Sequence, residues 1–116
     1  GKIKCFELDL PITQNFKKNI VQKAGIDNSH VTYAPCDFNN QNWLEVLIEH
    51  GFNMNEKTYF IWEGVTYYLT KEGVEFTLEN VKKVATGSLI VFDVFDITKF
   101  PQFYLSALHK QLGEPW

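Results

Sequence analysis

Long apolar runs are missing from this chain of 116 residues. A helix that crosses a bilayer needs about 20 consecutive apolar residues, and no stretch approaches that, so a membrane role is not expected. No secretory leader pattern opens the sequence. Cysteine is scarce: Cys5 and Cys36 are the only two. Two do not make a disulfide framework, and both sit in strand-like stretches where a small buried thiol is the ordinary outcome. These absences together point to a reducing, cytoplasmic setting. Dense positive charge is missing as well. With a formal net charge of −3, and with Lys17-Lys18 and Lys82-Lys83 as pairs on solvated helix faces rather than patches, nucleic acid is not expected as a partner. His30, His50 and His109 lie far apart without metal-ligand spacing, so no metal site is expected. The chain opens on Gly1-Lys2, has Met54 as its single methionine, and closes on Gly113-Glu114-Pro115-Trp116. Both ends read as cut, as in a piece of a longer protein.

What the chain does have is core material. Hydrophobic residues make up 45% and aromatics 16%, enough for one soluble domain or part of one. Residues 3–8 read as a first strand with Asp9 at its end. Pro11 suits the first turn of a helix, where its missing N–H costs nothing. Phe16, Ile20, Val21 and Ala24 follow at helical spacing, and Gly25 ends the segment. Residues 31–35 read as a second strand, closing on Cys36-Asp37-Phe38. Residues 42–50 form a helix with Trp43, Leu44, Leu47 and Ile48 inward, stopped by Gly51. Residues 58–62 are a third strand. Thr70 is a good N-cap for a helix to about Val84, its apolar face supplied by Val74, Phe76, Leu78 and Val81. Gly87 precedes a fourth strand, residues 89–94, and residues 101–112 read as a last helix. Strictly alternating strands and helices predict an α/β fold, a Rossmann-like parallel sheet with flanking helices. The strands are continuous apolar runs, which predicts cover on both sheet faces.

The most informative stretch is Tyr59-Phe60-Ile61-Trp62-Glu63-Gly64-Val65-Thr66-Tyr67-Tyr68-Leu69-Thr70. An apolar strand runs into a carboxylate followed at once by glycine, and ligands of parallel sheets sit just beyond the carboxyl ends of strands. The same happens at every strand: Glu7 and Asp9 end the first, Asp37 the second, Glu63 the third, Asp93 and Asp96 the fourth. A carboxylate there can accept hydrogen bonds from vicinal ribose hydroxyls. Asp37-Phe38 suits an adenine, the carboxylate taking the exocyclic amine and the ring covered by the neighbour. Acidic residues also open loops and cap helices in the ordinary way; the series is what asks for a common explanation.

Three of these stretches carry a resemblance: Phe6-Glu7-Leu8-Asp9-Leu10-Pro11 with Lys17 or Lys18 downstream, Tyr33-Ala34-Pro35-Cys36-Asp37-Phe38-Asn39 followed by Trp43-Leu44, and Trp62-Glu63-Gly64-Val65-Thr66-Tyr67-Tyr68-Leu69. In this order they resemble the leucine carboxyl methyltransferase family of class I S-adenosylmethionine-dependent methyltransferases, and Gly113-Glu114-Pro115-Trp116 resembles its later part. The resemblance implies S-adenosyl-L-methionine as cofactor and methyl transfer to an oxygen, a carboxylate or hydroxyl of a small molecule or protein. It implies Asp9 at the cofactor ribose, Asp37 and Phe38 at the adenine, and Glu63 as the carboxylate after the fourth strand of the full fold. Glu7 becomes a neighbour of that site, sharing the face of Asp9 if the strand stays extended. Tyr68 falls on the substrate side, although packing accounts for Tyr67 and Tyr68 equally well.

The family's first strand and glycine-rich turn are absent, as is an upstream basic residue directed at the cofactor carboxylate. Residues 1–116 would thus be a single partial domain of the class I methyltransferase fold, its strands the second to fifth of seven. The absent strand belongs between the second and fourth, and buried backbone groups left unpaired there cost roughly 1–3 kcal/mol each. The chain is therefore not expected to hold the full sheet alone, and the gap offers a route to association through the incomplete sheet. No nucleophile or general base stands out. Two other readings compete: a non-catalytic nucleotide-binding fragment, and a nicotinamide-binding Rossmann module, for which no G-x-G-x-x-G is present.

Overall fold

The computed structural model describes residues 3–66 and 69–94. The strands are β1 (Cys5–Asp9), β2 (Val31–Pro35), β3 (Tyr59–Trp62) and β4 (Leu89–Phe92), and the helices are α1 (Pro11–Lys23), α2 (Trp43–Glu49) and α3 (Lys71–Val81). Their order is strictly alternating, and both strand pairings are parallel, giving a small α/β fold with flanking helices. The expected last helix over 101–112, Asp96, Tyr67 and Tyr68 lie outside the described residues.

The four strands make two two-stranded sheets, β1 with β2 and β3 with β4. The chain divides accordingly into two compact units, 1–55 and 56–116.

In the first unit β1 and β2 run in register from Cys5 opposite Val31 to Asp9 opposite Pro35. Pro11 opens α1 with no side-chain cap. Asn42 caps α2, its Oδ1 accepting from the N–H groups of Leu44 and Glu45. That helix presses Trp43, Leu44, Val46 and Leu47 inward, beside buried Ala34 and Cys36. Phe6 meets Phe52, just after α2, edge to face at 5.6 Å. On the opposite side of β1, Glu7 meets α1 through Lys17, because neighbouring strand residues point to opposite faces.

The second unit repeats the strand, helix, strand pattern around β3 and β4. Thr70 caps α3 as expected, accepting from the Gly73 N–H at 3.1 Å. Among its described residues Trp62 and Val84 are the buried apolar ones, with Trp62 tilted against Phe92 at 5.7 Å between ring centres.

The structure corrects four expectations about burial. Cover on both faces fails for the second sheet: Tyr59, Ile61, Leu89 and Val91 are exposed. They share one face because they alternate along paired strands, and α3 is the single helix described in that unit. On α1 the expected apolar face is largely outward, with Phe16 68% exposed and Ile20 also exposed. Gln14 is buried instead, because its amide nitrogen donates to the Glu7 carbonyl at 3.1 Å and so turns the line 14, 17, 21 toward the sheet. On α2, Ile48 is exposed and Val46 takes the inward place; on α3, Phe76 is exposed while Thr77 and Asn80 are buried. Thr77 can go inside because its hydroxyl donates back to the Gly73 carbonyl at 3.0 Å.

Candidate functional site

Parallel pairing puts the carboxyl ends of β1 and β2 at one edge. Asp9 ends β1 opposite Pro35, and the next residue's amide, Cys36 N–H, donates to the Asp9 carbonyl at 2.8 Å. The ladder thus runs one residue past β2 and delivers Asp37 to the edge that Asp9 occupies. Cys36 anchors this point, fully buried. Burial, and secondarily the charge of Asp37, pushes its thiol up to about 11, so it stays protonated at neutral pH and serves as packing.

Asp37 also builds its own turn. One carboxylate oxygen accepts from Asn39 N–H at 3.0 Å and the other from the Asn40 side-chain amide at 2.6 Å, while Asp37 N–H donates to Gln41 Oε1 at 2.8 Å. Asp9 similarly accepts the Leu10 N–H at 2.7 Å. Phe38 follows, half-buried. The signal for this turn is the Asp-x-Asn-Asn-Gln string, since Asp and Asn side chains mimic backbone turns; reading Asp37 as a strand end alone misses it.

Glu7 has a different employment from Asp9. Its Oε2 accepts from Lys17 Nζ at 2.5 Å, and that bond, offset by some desolvation, raises the Lys17 pKa above its usual 10.5. The structure ties Glu7 to α1. The cue is the lysine eight residues after Asp9, placed to reach back over β1 once Gln14 faces the sheet.

In the second unit Glu63 stands exposed at the carboxyl end of β3, directly after buried Trp62. The backbone then turns through Gly64, whose φ of 68° lies in the left-handed region where a side chain is strained. The Gly64 N–H donates to both carboxylate oxygens of Asp93, at 3.0 and 3.1 Å. The Thr66 hydroxyl donates to the Asp93 carbonyl at 2.8 Å. Asp93 follows β4, one step beyond the Trp62 and Phe92 pair, so it meets and holds the turn that follows β3. A shallow groove lies at the opposite, amino ends of β3 and β4, lined by Lys57, Thr58, Tyr59, Gly87 and Leu89, away from these carboxylates.

The structure therefore brings Asp9, Asp37 and Phe38 to one sheet edge of the first unit, and Glu63 with Asp93 to the carboxyl edge of the second. Among the described residues there is no cluster of three or more side chains fit to hold a metal ion, and no helix is long and apolar enough to cross a membrane.

The model of the leucine carboxyl methyltransferase family matches residues 1–82. The chain belongs to the leucine carboxyl methyltransferase family. The match covers all of the first unit and, in the second, β3, the Glu63 turn and α3. Among relatives of this family member, the "Putative S-adenosyl-L-methionine-dependent methyltransferase YktD" of Bacillus subtilis (strain 168) is 38% identical over 102 residues, covering 86% of this chain and 33% of the relative. A Mycobacteroides abscessus protein described in the same terms is 28% identical over 97 residues, covering 83% of this chain and 32% of that protein. One from Mycolicibacterium gilvum (strain PYR-GCK) is 30% identical over 110 residues, covering 93% and 44%. The chain thus spans about a third of the length of the first two relatives.

Proposed function

We propose that this chain is the part of an S-adenosyl-L-methionine-dependent O-methyltransferase that grips the adenosine half of the cofactor. The observation that carries the reading is the Cys36 amide bond to the Asp9 carbonyl, which sets two carboxylates, Asp9 and Asp37, on one sheet edge. Family membership supports it. The donor set fits the ligand: ribose hydroxyls and an adenine amine are donors, and carboxylates accept. Each oxygen of Asp37 holds one local partner and keeps a second lone pair for a ligand. In this reading Asp9 takes the ribose, Asp37 the adenine amine with Phe38 against the ring, and Glu63 a further contact from its own edge. The cofactor, when bound, supplies a methyl group already activated on sulfur, so the protein's work is alignment and exclusion of water. The acceptor is a carboxylate or hydroxyl of a small molecule or protein. Residues 1–116 form one partial domain, acting in the cytoplasm, and its incomplete sheet is a route to association.

The test is calorimetric titration of adenosylhomocysteine into residues 1–116 and into a version extended upstream. Binding is expected in at least the extended form, weakened about tenfold or more by Asp9→Asn, since a hydrogen bond to a charged group contributes roughly 1.5–3 kcal/mol. Uptake of NAD in place of adenosylhomocysteine would overturn the reading. A second reading is a nucleotide-binding piece that retains half a cofactor site and transfers no methyl group; it predicts adenosylhomocysteine binding without turnover in either form.

A further inference from the structure

We infer that Asp93 is the positioning residue for Glu63, holding the 63–66 turn so that the Glu63 carboxylate is presented at the edge of β3. The inference rests on the cofactor reading of Glu63 given above. Glu63 is exposed and sits between a buried tryptophan and a glycine, so its own surroundings fix it on one side alone. Trp62 holds the chain up to that residue by packing against Phe92. Past it, Gly64 supplies a backbone shape that most residues resist, but glycine is also the most freely moving residue, so a partner that holds its N–H fixes the turn further.

Asp93 is that partner at two points. Its carboxylate takes the Gly64 N–H with both oxygens, and its carbonyl takes the Thr66 hydroxyl. Charge-assisted bonds to a backbone N–H are stronger than neutral ones. The two anchors bracket Val65 and leave Glu63 as the last residue before the clamp. A carboxylate at position 93 therefore acts on residue 63 through the backbone of the turn it holds. The register explains why this residue can do it: Trp62 pairs with Phe92, so Asp93 arrives level with the turn it secures.

The experiment is a double-mutant cycle read by adenosylhomocysteine affinity, on the form of the chain that takes the ligand up, with amide hydrogen exchange at Gly64 as an independent readout. In Asp93→Ala, Gly64 exchange is expected to speed up by about tenfold or more, and the dissociation constant to rise about tenfold. In Asp93→Asn, which keeps one acceptor for Gly64, most of the affinity and protection is expected to return. In a Glu63→Ala background, adding Asp93→Ala is expected to change affinity by less than about twofold, because the residue it positions is gone. An equal loss with and without Glu63 would show that Asp93 merely supports the fold and would overturn the positioning role. Unchanged Gly64 exchange in Asp93→Ala would overturn the clamp itself. If no form binds adenosylhomocysteine, the cofactor reading and the positioning role fall together, and Gly64 exchange alone then decides the clamp.

Discussion

The two units use the same pattern, two parallel strands joined by a helix, yet they bury their residues differently. In the first, Glu7 meets α1 on one side of β1 and Phe6 meets Phe52 on the other, and α2 adds four inward side chains. In the second, Trp62 and Val84 are the buried apolar residues among those described, while Tyr59, Ile61, Leu89 and Val91 on one sheet face are exposed. The strands themselves are equally apolar. The difference lies in their neighbours along the chain. The segment after β2 returns as a short helix over its own sheet, and the described part of the second unit offers no counterpart. A continuous apolar strand states a demand for cover, and neighbouring sequence decides whether it is met.

The largest test of this contrast is a pair of truncations. Leu47→Ala, at a buried site in α2, is expected to cost about 2–5 kcal/mol, whereas Ile61→Ala, on the exposed face, should stay within about 0.5 kcal/mol. Denaturant unfolding of both variants measures it, and equal losses would mean that the exposed face is covered in solution.

A middling effect concerns how each unit starts its helix. Asn42→Ala removes the cap of α2 and is expected to cost about 1 kcal/mol. Lost helical signal and a lower unfolding midpoint would show it. If Asn42→Ser restores the midpoint, the loss is the cap's.

The smallest concerns the ion pair of the first unit. Lys17 and Glu7 pair at 2.5 Å with the lysine side chain 54% exposed, so solvent screening limits the pair to less than about 1 kcal/mol. The folded Lys17 pKa is raised above 10.5. Its contribution is therefore complete below that pH and fades as pH rises through the higher folded value. The stability gap between the parent chain and Lys17→Met should narrow above pH 10.5; a gap that is flat from neutral to alkaline pH would contradict the pairing.

Much of the fold is legible in the sequence. The strand and helix order comes from Gly25 and Gly51 as stops, Gly87 before the fourth strand, and Pro11 and Thr70 as starts, because these residues act through local backbone geometry. Helix faces are less legible. Spacing marks Phe16, Ile20 and Phe76 as inward, but Gln14, Thr77 and Asn80 take those places. A polar side chain can go inside once it finds a partner, as Gln14 does on the Glu7 carbonyl, and a single sequence does not announce tertiary partners. The acidic strand ends are legible as a series. Their separate employments are not: Glu7 to a lysine, Asp37 to its own turn, Asp93 to Gly64.

Cys36 has a consequence for kinetics. With no solvent access and a thiol held at about 11 by burial, it is closed to alkylating reagents while the first unit is intact, and reactive once that unit opens. When reclosing outpaces the chemistry, its labelling rate reports the fraction of time that unit spends open. The chain thus carries its own clock for one of its halves, and the other half, with no cysteine, keeps silent time.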